Sequence, residues 1–106
     1  MNTKIKYGIN EIEKEFGPIT FASALESERL SRELTLKSFA KILGITAQSL
    51  CDLEKGRRLP SPERAAKIAK KLKEPLAYWV SLALKDQLRK ANIDLDIEVV
   101  NSKRVA

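Results

Sequence analysis

The sequence predicts an all-α fold of five helices, with a short N-terminal extension before them and a single β-strand after them. Three observations predict it. Apolar residues recur at helical spacing in five segments between residues 21 and 91. Thr, Ser or Pro precedes each segment, and Gly or Asn follows three of them. The chain has 106 residues, 43% hydrophobic and 32% charged, which suits one core and no second domain.

At the N-terminus Ile5, Tyr7 and Ile9 alternate with Lys4, Lys6 and Gly8 as in a strand, and Asn10 is placed to cap a short helix through Phe16 that Gly17-Pro18 closes. Thr20 caps a first core helix from Phe21 to Glu33, where Phe21, Ala24, Leu25 and the stem of Arg29 share a face. Thr35 caps a second over Leu36–Leu43, with Leu36, Phe39, Ala40 and Leu43 on one side and Gly44 as its stop. Thr46 caps a third, Ala47–Lys55, whose Leu50 and Leu53 point inward before Gly56. Ser61-Pro62 opens a fourth, which buries Ala65, Ile68, Ala69 and Leu72 and turns Lys67, Lys70, Lys71 and Lys73 outward. Pro75 opens a fifth that runs to Ala91, with Leu76, Trp79, Val80, Ala83, Leu84 and Leu88 as its stripe and Tyr78 and Leu82 widening it. After Asn92, the residues Ile93, Leu95, Ile97 and Val99 alternate with Asp94, Asp96, Glu98 and Val100 as in an amphipathic strand. A lone strand needs a partner: either residues 5–9 or the same strand of a second chain. The wide apolar surface of the fifth helix favours the second chain. The expected organisation is an extension over 1–20, a core domain over 21–74 and a dimerisation element over 75–106.

Twenty Lys and Arg stand against fourteen Asp and Glu, a net charge of +6. The excess lies in the middle of the chain, where residues 61–75 alone carry five basic and two acidic side chains. Such a surplus suits a polyanion, although a solvated basic face has the same composition. With no His and a single Cys, the chain offers no Ser-His or Cys-His pair and no Cys/His zinc set, and its carboxylates form no catalytic spacing. No enzyme, cofactor or metal is expected. Cys51 reads as a small filler, and its solitude suits a reducing cytoplasm, with no apolar run long enough for a membrane or signal segment.

Residues 36–55 hold the informative pattern. Leu36, Phe39, Ala40, Leu43, Gly44, Ile45, Leu50 and Leu53 stand where two helices joined by a sharp turn need them. Small Ala40 lets the helices cross closely, Gly44 supplies a positive φ, Ile45 plugs the turn, and Leu50 and Leu53 pack the next helix on the first. With this pattern, and with the segment Leu53-Glu54-Lys55-Gly56-Arg57, residues 21–72 resemble the lambda-repressor-like Xre family of helix-turn-helix DNA-binding domains.

The resemblance implies that the third helix enters the major groove. Ala47, Gln48 and Asp52 then stand at base-reading positions: Ala47 against a thymine methyl, Gln48 on adenine N6/N7, Asp52 accepting from cytosine N4. Thr46, Ser49, Lys55, Arg57 and Arg58 become phosphate contacts, with a cap alone as the other reading of Thr46. Where several phage repressors carry a backbone-touching Gln, this chain has Leu36; either that contact is lost here or Lys37, one step along, replaces it. Arg29 and Glu54 match an internal ion pair. The flanks, Glu15-Phe16-Gly17-Pro18-Ile19-Thr20-Phe21 and Gln87-Leu88-Arg89-Lys90-Ala91-Asn92 with the strand after it, resemble HigA-type antitoxins. That implies a homodimeric repressor of a palindromic operator that also neutralises a ribonuclease toxin of the RelE or HigB kind. Dimer packing falls to Trp79, Leu84, Leu88, Leu95, Ile97 and Val99. A cytoplasmic, nucleoid-associated protein is expected. The alternatives are a stand-alone regulator and an interaction module without DNA binding.

Overall fold

The computed structural model describes residues 17–100, which form five helices: α1 Phe21–Ser31, α2 Leu36–Leu43, α3 Ala47–Glu54, α4 Pro62–Leu72 and α5 Leu76–Lys90. The strand expected at 5–9 and the short helix from Asn10 lie outside these residues. Hydroxyl caps set the starts of the first four helices. Thr20 Oγ1 accepts from the Ser23 N–H at 3.0 Å, Thr35 Oγ1 from Ser38 at 3.1 Å, Thr46 Oγ1 from Ser49 at 3.0 Å and Ser61 Oγ from Arg64 at 3.1 Å. Each satisfies one of the donors that a helix start leaves unpaired.

The helix ends follow from left-handed residues. Gly44, at φ 73°, closes α2, and Lys73, at φ 58°, closes α4 without the benefit of a glycine. Glu33 takes φ 55°, so α1 stops at Ser31 rather than running on to Glu33. Asn92, at φ 59°, ends α5, and the Ile93 N–H then donates back to the Leu88 carbonyl at 2.9 Å.

Phe21, Leu25, Phe39, Leu43, Leu50, Leu53, Ile68, Leu72 and Trp79 fill the centre, and Ala40, Ala65, Ala69 and Ala83 are the small residues that let the helices approach. α5 lies against α4 and α1. It buries Trp79, Leu82, Ala83 and Asp86, a stripe at i, i+3, i+4 and i+7. This corrects the expected stripe in two respects. Leu76 and Tyr78 are exposed and Leu84 and Leu88 half-buried, while an acid takes the last buried position. Asp86 Oδ2 accepts the Phe21 N–H at 3.0 Å, so its carboxylate sits on the positive end of α1, and Arg89 pairs with its other oxygen.

Of the two packing roles open to Trp79, core or dimer, the fold uses the core: the side chain is 1% exposed, and its ring meets Phe21 edge-on with centroids 5.4 Å apart. Its apolar area is spent inside the chain. No C-terminal strand forms within the chain: residues 93–100 make no ladder, and the described residues include no strand for them to pair with. Alternation alone does not make a strand when its backbone groups have no neighbour. The tail instead stays near α5, with Lys85 Nζ 3.8 Å from Asp96. No helix among the described residues is long and apolar enough to cross a membrane.

Candidate nucleic-acid interface

α2 and α3 form a compact pair around Gly44. The positive φ lets the chain reverse within Gly44-Ile45, Ile45 N–H returns to the Ala40 carbonyl at 3.0 Å, and Thr46 at once caps the next helix. Leu50 and Leu53 anchor the inner side of α3 in the core, which leaves Ala47 and Gln48 exposed and Ser49, Cys51 and Asp52 half-buried. Periodicity thus divides this helix into a packed face and a presented one.

The lock between α3 and α1 is electrostatic. Arg29 Nε donates to both Glu54 oxygens, at 3.1 and 2.9 Å, and Arg29 Nη1 donates to the Leu34 carbonyl at 3.1 Å. Glu54's side chain is 2% exposed and Arg29's 15%, so the pair works largely out of water and fixes the angle at which α3 is held. The hydrogen bond to Glu54 raises the Arg29 pKa and keeps the guanidinium charged.

The presented face carries a second network. Gln48 Nε2 donates to Asp52 Oδ1 at 3.1 Å, and Arg57 Nε donates to the same oxygen at 3.0 Å. Arg57 Nη2 also reaches Cys51 Sγ at 3.3 Å. The Arg57 hydrogen bond, with that of Gln48, holds the Asp52 carboxyl below its ordinary range, and Asp52 in turn raises Arg57. A carboxylate on this face would repel phosphates, but here it is neutralised by its own neighbour. The cause is Gly56, whose φ of 75° folds the chain back so that the Arg57 N–H bonds the Asp52 carbonyl at 2.9 Å.

Lys37 stands exposed on the first turn of α2, while Lys55, Arg57 and Arg58 stand exposed beyond the end of α3. Thr46 is exposed with its oxygen already accepting from Ser49, and its hydroxyl hydrogen remains available to an acceptor. The geometry gathers Gln48, Asp52 and Arg57 into one cluster. Of the residues assigned to dimer packing, Leu84, Leu88, Ile97 and Val99 are half-buried and Leu95 is 66% exposed.

Sequence reasoning missed the Asp52–Arg57 pair and buried Asp86. A glycine at the end of a helix with Arg directly after it was the available signal for the first. The spacing of Asp86 three residues after Ala83 and before Arg89 was the signal for the second.

No curated protein matches the chain. A family model described as helix-turn-helix matches residues 25–79, which covers α2, the turn, α3 and α4 with most of α1 and the start of α5. With just over half of its length in that match, the chain belongs to the helix-turn-helix family of DNA-binding regulators.

Proposed function

We propose that this chain is a homodimeric repressor that reads a palindromic operator through α3, and that it serves as the antitoxin of a ribonuclease toxin whose operon it represses. The observation that carries the DNA reading is the presented face of α3. A helix with its side chains is about 10 to 12 Å across, which the major groove, about 12 Å wide, admits, and α3 offers eight residues to it. Ala47, Gln48 and Asp52 lie on that face, and Gln48 and Asp52 already present oriented polar groups. Cations at both ends of the α2–α3 unit, Lys37 on one side and Lys55, Arg57 and Arg58 on the other, suit the two phosphate strands that wall the groove. Repression is then steric: a bound dimer covers the promoter.

The antitoxin part rests on the resemblance of the flanking segments, and the dimer on the apolar residues that α5 and the tail leave outside the core. A neighbouring gene for a small basic ribonuclease, and a stable complex between the two proteins, support the first; a stand-alone regulator shows neither. The test of DNA recognition is a gel-shift titration against the chain's own upstream DNA, with random DNA as competitor. Retained specificity with a steep negative salt slope is expected. Replacing Arg57 and Arg58 by Ala should weaken binding on every sequence and flatten that slope by about 1 to 2. Weak binding that random DNA abolishes would leave the fold serving protein contacts instead.

A further inference from the structure

Beside the turn, on the α4 side, lies a groove of about 480 Å³ lined by Gly44 and Ile45 together with Arg64, Lys67, Lys70 and Lys71. Glu63 is the single acid in its wall. None of the four cations makes an ion pair among the described residues, whereas Arg29, Arg32, Arg57, Lys85 and Arg89 all do.

The arrangement works against helix stability. Arg64 and Lys67 are three apart, Lys67 and Lys70 three apart, Lys67 and Lys71 four apart, so like charges stack along one ridge of α4. Lys70 and Lys71 lie in the last turn, where the helix dipole welcomes a cation. Arg64 lies in the first turn, where it does not, and Lys67 stands at the middle, where the dipole favours neither sign. Glu63, four residues before Lys67, offsets part of this repulsion, and the row still carries more positive charge than the helix needs.

Position supplies a reason for it. Lys71 Nζ lies 4.0 Å from the point where a Cβ on Gly44 would sit, and Gly44 is two residues before the cap of α3. An ammonium there stands beside the N-terminus of the helix placed in the major groove, within about a Debye length of the phosphates bordering it.

We propose that the Arg64–Lys67–Lys70–Lys71 groove is a second phosphate-binding surface that holds the DNA backbone alongside α3. The inference rests on the DNA-binding reading given above and extends its footprint from the α2–α3 unit onto α4. It adds affinity on every sequence and no base preference, because phosphates carry none.

The test uses the full chain and a mixed-sequence DNA duplex, with binding measured between about 50 and 200 mM salt. Lys67→Gln with Lys71→Gln is compared with Lys73→Gln with Lys85→Gln, which removes the same charge outside the groove. The groove pair should lower affinity about tenfold and make the salt slope less negative by about 1 to 2, while the second pair leaves the slope as in the wild type. Circular dichroism of both variants checks that the helices are intact. An equal slope for the wild type and the groove variant overturns the second surface while the α3 reading stands. An equal loss in both variants also overturns it, since net charge then explains the effect. Failure of the wild type to bind any duplex at low salt overturns both.

Discussion

Gln48 and Asp52 show how a single residue on the presented face of α3 can be held ready and restrained at once. In the free chain Gln48 donates to Asp52 Oδ1, which also accepts from Arg57, so both side chains are held before DNA arrives. Reading a base requires Gln48 to exchange that bond for two on adenine. Gln48→Ala should therefore relax preference at one base pair by about 1 to 3 kcal/mol and leave affinity for random DNA close to the wild type, as a binding comparison over single-base operator variants would record. A uniform loss on all sites would take Gln48 out of base reading. Asp52 makes a prediction in pH. Its carboxyl pKa is lowered on folding, first by Arg57, so the pair stabilises the fold above the unfolded value of about 3.9 and that stabilisation disappears as pH falls through the lower folded value. Carbon-13 titration of the Asp52 carboxyl should place its midpoint below that reference, and Arg57→Ala should move it upward. A midpoint that ignores Arg57 would mean the pair does not persist in solution.

At the scale of elements, what was legible in the sequence was whatever local chemistry decides. Thr20, Thr35, Thr46 and Ser61 mark the helix starts because each cap is a contact with a residue three positions on, and Gly44 marks a stop because no other residue takes positive φ as cheaply. The face of α3 was legible for the same reason, since Leu50 and Leu53 orient it. Partners distant in sequence were not. Asp86 meets the start of α1 across 65 residues, so an acid takes a buried position on α5 that the apolar stripe did not mark. The tail differs: an alternating pattern states which face is apolar and says nothing of whether another strand exists within the chain. Gly44 offers a clean measurement of the turn. A Cβ there has room, the nearest atom being the mobile end of Lys71 at 4.0 Å, so Gly44→Ala meets backbone strain alone. It should cost about 1 to 2 kcal/mol in urea denaturation, and Gly44→Asn less, because Asn tolerates the left-handed region. Equal costs for both would point to a lost contact instead of strain.

For the whole molecule, the proposed repressor requires that two copies share one duplex. A palindrome presents equivalent half-sites about 34 Å apart, and a two-fold dimer meets both only if its contact surface fixes that spacing. Burial of Trp79 removes the largest apolar side chain from that surface and leaves Leu84 and Leu88 on α5, with Leu95, Ile97 and Val99 on the tail, as its apolar material. Leu84 and Leu88 are one turn apart on the same side of α5 and only half-buried, so a charge at each should be tolerated by the chain and not by a partner packed against it. Leu84→Asp with Leu88→Asp should sediment as a monomer with its helical circular dichroism retained. On a two-half-site operator the variant should lose about a hundredfold in affinity, because the second half-site no longer binds as an intramolecular event. On a single half-site it should match the wild type, since α3 and the cations around it are untouched. A wild type that sediments as a monomer and binds one half-site as well as two would remove the dimer from the mechanism, and the chain would then have to occupy its operator one copy at a time.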